Sequence, residues 1–192
     1  MFLSRTLVFT IAITACSRAT SPATQPLADS ARPPYTQADV HFMDGMITHH
    51  AQAVLIGGWA VDATHGASPQ VRVLSERIAV AQTDEIAFLE RWLRERNEAR
   101  MDHQMLMPGM LTPEQLAQLD RARGAEFDRL FLTLMIQHHQ GAVTMVDQLL
   151  GAQGAAQDGL VFRFAADVHA DQTTEIERMQ RMLAALPSGG KT

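Results

Sequence analysis

The sequence predicts an all-α protein, an antiparallel four-helix bundle built from two similar helix pairs. Three observations predict it. Met46-Ile47-Thr48-His49-His50 returns as Met135-Ile136-Gln137-His138-His139, and each copy is followed at a similar distance by a Gln-Thr-x-Glu-Ile segment, Gln82 to Ile86 and Gln172 to Ile176. That is the mark of an internal repeat. From Thr36 onward apolar residues recur at helical spacing, and the period-two alternation of a strand is not evident anywhere. Start and stop residues divide this stretch into long helices with mostly short connections, which pack most simply as an antiparallel bundle.

In chain order, Arg5, the apolar run Leu7 to Ile13 and the small residues before Cys16 read as an export signal over residues 1–15. Ile13-Thr14-Ala15-Cys16 resembles the lipobox of bacterial lipoproteins, in which the cysteine is acylated and becomes the first mature residue. Cys16 is therefore the expected lipid attachment, with an ordinary signal peptide cleaved nearby, or a chance apolar start, as the alternatives. The apolar run is too short to span a bilayer as a stable helix. Residues 16–34, rich in Ser, Ala, Thr and Pro, read as a flexible tether. Cys16 is the chain's single cysteine, so an internal disulfide is impossible.

The bundle is expected over residues 35–187. Thr36 with Asp39 forms a capping-box pattern, launching a helix to about Ala63 before His65-Gly66 breaks it. Ser68-Pro69 supplies an N-cap followed by proline at the first helical position, opening a second helix to roughly Arg96. After a methionine-rich connection, Thr112-Pro113-Glu114-Gln115 repeats the cap-and-proline pattern and starts a short helix ending near Gly124. A third long helix runs from about Ala125 to Leu150. Gly151 to Gly159 makes the next turn, and the fourth long helix reaches Leu186, where Pro187 stops it. Residues 188–192 read as a disordered tail.

Composition narrows the function. Of 192 residues, 46% are hydrophobic and 19% charged, which suits one compact domain with a tail rather than a disordered chain. A formal net charge of -5, with no visible basic face, argues against a nucleic-acid binder. No nucleophile with a recognisable local signature appears, so hydrolase or transferase chemistry has little support.

At about 100° per residue, Phe42, Met43, Met46, His49, His50 and Ala53 share one face of the first helix. Phe131, Met135, His138, His139 and Ala142 form the equivalent stripe on the third. Gln82, Glu85, Ile86 and Leu89 point together on the second, as do Gln172, Glu175, Ile176 and Met179 on the fourth. Polar groups thus stand on core-facing stripes, where an unpaired one costs a few kcal/mol. Two readings follow. In one, each His pair and its Glu satisfy one another and the methionines are flexible core filler. In the other, imidazole and methionine sulfur bind a metal ion, with Gln82, Glu85, Gln172 and Glu175 orienting the ligands from behind. The doubling of the motif favours metal.

The connection adds a second argument. Met101, His103, Met105, Met107 and Met110 fall within one segment broken by Pro108-Gly109. Soft thioether sulfur suits Cu(I) or silver, and imidazole accommodates either copper state. The alternative is a hydrophobic plug over one end of the bundle. Lone His41, His65 and His169 read as surface residues, with simple solvation favoured over a role as spare ligands.

The Met-x-x-His-His segments, the Met-Pro-Gly-Met-Leu-Thr-Pro-Glu stretch at Met107 to Glu114, Gly-Ala-Glu-Phe-Asp-Arg-Leu-Phe at Gly124 to Phe131 and the Gln-Thr-x-Glu-Ile pairs together resemble the bacterial domain-of-unknown-function family 305. The resemblance spans roughly Tyr35 to Leu186. It implies a ferritin-like four-helix bundle, an exported or membrane-anchored setting in the bacterial envelope, and copper binding connected with copper resistance. The ligand candidates it implies are Met46, His49, His50, Met135, His138, His139, Met107 and Met110, to which Met43 and Met145 are added. Where many such sequences carry another methionine soon after the His pair, the first repeat has Val54, Leu55 and Ile56 and the second Met145, so unequal halves are expected. The leading expectation is an envelope copper-binding lipoprotein, not an enzyme, that sequesters or delivers copper, with envelope copper-handling proteins as partners and the membrane reached through its lipid. A ferritin-like carboxylate enzyme of iron or manganese is the rival, weakened by the lack of any Glu-x-x-His. A structural helical module without metal is the third possibility.

Overall fold

The structure, a computed structural model, describes residues 34–101 and 106–187. The expected export signal, the Cys16 expected to carry a lipid, the expected tether up to residue 33, the candidate ligands His103 and Met105, and the expected tail lie outside the described residues.

Local chemistry sets the helix ends. Thr36 caps α1 (Gln37–Val61) with the full capping box: Asp39 N donates to Thr36 Oγ1 at 3.3 Å and Thr36 N donates to Asp39 Oδ2 at 2.7 Å. The helix ends short of Ala63 because Asp62 leaves helical geometry and accepts from Thr64 N at 2.8 Å, opening a 3-10 turn over Ala63–His65. Gly66, at φ 63, closes that turn in the left-handed region where glycine carries no Cβ penalty. Ser68 and Pro69 start α2 (Pro69–Glu95), a second capping box between Thr112 and Gln115 starts α3 (Pro113–Arg121), and α4 (Gly124–Gly151) follows. Asp158 caps α5 (Gly159–Ala185), accepting from Leu160 N at 2.8 Å.

The architecture is all-helical: α1 packs along α2, α4 along α5, and α1 meets α4 between the pairs. The short turns within each pair make its helices antiparallel, giving a four-helix bundle with α3 as an accessory helix on α4. The two pairs are tied by equivalent aspartates. Asp39 Oδ1 accepts from Ala156 N in the α4–α5 turn at 2.7 Å, and Asp128 Oδ1 accepts from Ser68 N in the α1–α2 turn at 3.0 Å. Each repeat therefore fastens the other's turn with a buried carboxylate.

The core falls into two apolar halves. One gathers Phe42, Met43, Met46, Leu89, Trp92, Met145, Val161 and Val168; the other gathers Ala53, Ile56, Leu74, Ile78, Phe127, Phe131, Met135 and Met179. In every long helix the boundary between them holds the polar repeat residues: His49 and His50, Gln82 and Glu85, His138 and His139, Gln172 and Glu175. At the end carrying the α4–α5 turn, Asp158 is buried and accepts from Trp92 Nε1 at 3.2 Å and from Arg96 Nη2. The Arg96 guanidinium lies 4.1 Å from the Trp92 ring centroid. Among the described residues no helix is long and apolar enough to cross a membrane.

A buried histidine layer as the candidate metal centre

Four histidines sit in the middle of the bundle with no exposed surface: His49, His50, His138 and His139. Adjacent placement on each helix turns one imidazole toward the other pair and one toward the flanking helix. His49 and His138 accordingly meet across the α1–α4 contact, ring centroids 3.8 Å apart. His50 and His139 face outward to α2 and α5. His139 Nε2 is hydrogen-bonded to Glu175 Oε2 at 2.8 Å; His50 Nε2 stands 2.8 Å from Glu85 Oε2, at ion-pair distance but off the line of a hydrogen bond.

Much of the remaining polar capacity is unmet. The Nδ1 atoms of all four histidines are buried without a hydrogen-bond partner, and His138 has neither nitrogen paired. The amide of Gln82 is buried with both atoms unpartnered, and Gln172 Oε1 likewise. Burial pushes the His49 imidazolium down to about 3 from 6.5, helped by the nearby His50 and His139 and opposed by its bond to the Pro108 carbonyl. His138 is pushed well down for the same first reason, with His49, His139 and His50 adding to it and the His49 backbone offsetting a part. Both rings are neutral at pH 7, the form in which imidazole binds metal.

The methionine-rich connection is a strap across this layer. Before residues 102–105, Arg100 pairs with Asp44 and Met101 N donates to Asp44 Oδ2 at 3.0 Å. After them, His49 Nε2 bonds the Pro108 carbonyl at 3.0 Å, and Gln52 clamps Leu111 by accepting from its N at 2.7 Å and donating to its O at 3.1 Å. Gln137 Nε2 donates to Gly109 O at 3.3 Å. The strap touches α4 at Gly141, where an added Cβ would stand 2.0 Å from the Pro108 oxygen; Gly109 lies at φ 76. Only paired glycines permit so close a backbone approach.

The structure distributes the sequence-derived candidates unevenly. Met107 and Met145 meet over Gly45, and with His41 they line a cavity of about 140 Å³. Met43, Met46 and Met135 are fully buried, but Met46 belongs to one apolar half and Met135 to the other. Met110 is half-buried on the strap, and Met101 is exposed. Among the described residues no three His, Cys, Asp or Glu side chains are grouped to hold an ion. One expectation is corrected: His65 is buried, stacked on Trp59 and paired with Asp120 at 3.2 Å, because the tertiary fold lays Phe127 over it. His41 and His169 are exposed. Sequence reasoning missed Asp44, Gln52 and the Pro108 carbonyl, whose partners lie 50 or more residues away in the chain.

On the open side, α2 and α5 stand apart, and a groove of about 510 Å³ between them is lined by Gln82, Glu85, Asp171, Gln172 and Glu175. Partial burial, then the neighbouring Glu85 and Glu175, raise the Asp171 carboxyl above the usual carboxylate range.

A four-helix bundle carrying a repeated, buried His-His layer defines the class. The chain belongs to the family described as domain of unknown function DUF305, whose model matches residues 39–183. It is similar to a DUF305 fragment from Deinococcus radiodurans, at 30% identity over 80% of this chain and 100% of that one, TM-score 0.71. It is also similar to a DUF305 protein from Streptomyces coelicolor, at 26% identity over 81% and 97%, TM-score 0.71. The same fold is shared with CopM in its Cu(I)-bound form, at 23% identity over 81% and 100%, TM-score 0.64. Among curated proteins none matches.

Proposed function

We propose that this is an exported copper-binding protein that sequesters or delivers the ion rather than transforming a substrate. One observation carries the reading: four buried histidines, two held neutral, whose Nδ1 atoms all lack a partner. A purely structural layer would bear the desolvation of those atoms, about 1–3 kcal/mol each, with nothing in return. An ion supplies the missing partner. The thioethers of Met43, Met46, Met135, Met107 and Met145, all buried or half-buried, would supply soft donors of the kind that select Cu(I), with silver as its chemical mimic. Met101, Met105, Met110 and His103 would extend capture onto the strap. The copper-bound state of CopM supports copper as the cargo, while the donor set is argued from this chain's residues alone.

In this reading Glu85 and Glu175 orient His50 and His139, and the chemistry is ligand exchange. Export and a lipid at Cys16, inferred from Ile13-Thr14-Ala15-Cys16, put the bundle in the cell envelope at the membrane, where envelope copper-handling proteins are its partners. Several acyl chains hold stably where one would not. The test is the copper content of protein recovered from the envelope, beside a variant with His49, His50, His138 and His139 changed to Asn. Copper in the parent and its loss in the folded variant support the reading; equal content removes the histidines from the site, and iron or manganese instead of copper favours the carboxylate enzyme. In the same fractionation, Cys16→Ser should release the protein from membranes or block its maturation.

A further inference from the structure

We infer that the groove between α2 and α5 is the route by which a cation passes from solvent to the histidine layer, gathered by Asp171, Glu85 and Glu175 and received by the amide oxygens of Gln82 and Gln172. The inference rests on the metal-binding reading above. The four histidines have no exposed surface, and on the strap side Pro108 closes over His49. On the groove side the outermost groups are carboxylates: Glu85 and Glu175 keep 21% of their side chains exposed, with the Nε2 atoms of His50 and His139 2.8 Å behind them. One carboxylate therefore spans the distance between water and imidazole in each repeat.

Two further features single out this groove. Gln82 and Gln172 line it at 2% and 3% exposure, and the Oε1 of each has no hydrogen-bond partner. Carbonyl oxygens placed there can take over from departing hydration waters, so the ion need not be stripped in one step. The charge balance of the lining is also one-sided. Glu76, Glu85, Asp171 and Glu175 face a single cationic group, Arg77. Such a cleft focuses potential and raises the on-rate of a cation by 10-fold or more, in a manner that salt screens. The smaller cavity at Met107 and Met145 has His41 as its single ionisable lining residue and no carboxylate.

The test is stopped-flow uptake of aqueous Cu(II) in a weakly coordinating buffer, at low and high salt. Asp171→Asn combined with Glu76→Gln should slow association by about 3- to 10-fold at low salt, with most of the difference gone at high salt. Thr174→Trp, filling the groove from an exposed residue whose hydroxyl donates to the Ala170 carbonyl, should slow uptake at both salt concentrations. Asp147→Asn, an exposed charge on α4 away from the groove, should leave the rate unchanged. Helix content by circular dichroism confirms that each variant is folded. If wild type takes up copper and the groove variants do so at its rate, the route is overturned and the metal-binding reading stands. If wild type takes up none, both fall.

Discussion

Gly141→Ala puts a methyl group where α4 and the strap touch backbone to backbone. The added carbon would lie 2.0 Å from the Pro108 oxygen and 2.5 Å from Gly109 Cα, against an ordinary contact of 3.4 Å or more. The obstacle is main chain, so relief requires the strap to move by more than an ångström. That movement breaks the bond from His49 Nε2 to the Pro108 carbonyl, worth about 1 kcal/mol, and adds about 1–3 kcal/mol of overpacking. Against this, alanine at an unobstructed mid-helix position gains about 1 kcal/mol over glycine. The net expectation is a loss of about 2 kcal/mol, read from urea unfolding of metal-free protein. Gly58→Ala is the internal control: nothing lies within 4 Å of its added Cβ, so it should stabilise by about 1 kcal/mol. A Gly141→Ala protein as stable as wild type, or more so, would refute the contact, since the two accounts predict opposite signs.

Three other outcomes follow from the same geometry. Folded His49 refuses a proton until about pH 3, whereas the unfolded chain accepts one near 6.5, and His138 is shifted in the same direction. The His49 contribution to stability is therefore full above pH 6.5 and falls by about 1.4 kcal/mol per pH unit as pH drops toward about 3, and the His138 contribution falls in the same direction; urea midpoints at pH 7.5 and 5.5 check this, and equal midpoints contradict it. Asp158→Ala leaves Arg96 buried without its carboxylate and should cost about 3–5 kcal/mol, while Asp158→Ala with Arg96→Met should cost less; equal losses would show that the ion pair is not the cause. Glu85→Gln and Glu175→Gln should each weaken copper affinity by about 10- to 100-fold in a folded bundle, with abolished binding making the glutamates ligands and unchanged binding removing them from the site.

What was legible in the sequence was local or repeated. Thr36 with Asp39, Ser68 with Pro69 and Thr112 with Pro113 mark helix starts because a cap and its partner lie within one turn, and all three are capped as read. The His-His layer was legible as a juxtaposition because the motif occurs twice on core-facing stripes. Long-range chemistry was not. Asp39 reads as half of a capping box, yet its second oxygen holds Ala156, 117 residues away. Nothing near Gly141 in the chain says that Pro108 rests on it. His65 reads as a lone surface histidine, but Trp59, Phe127 and Asp120 enclose it. Met46 and Met135, equivalent in the repeat, fall into different halves of the core, a division that helical spacing alone does not show.

A copper site and a structural polar layer differ in what the four histidines do for the metal-free protein. Anaerobic competition of metal-free protein for Cu(I) and Fe(II), with wild type beside the variant in which His49, His50, His138 and His139 are all Asn, separates the two most directly. Wild type should prefer Cu(I) over Fe(II), and the variant should lose most of that affinity while remaining helical. Cu(I) held no more tightly by wild type than by the unfolded chain would contradict the copper site, and so would a preference for Fe(II).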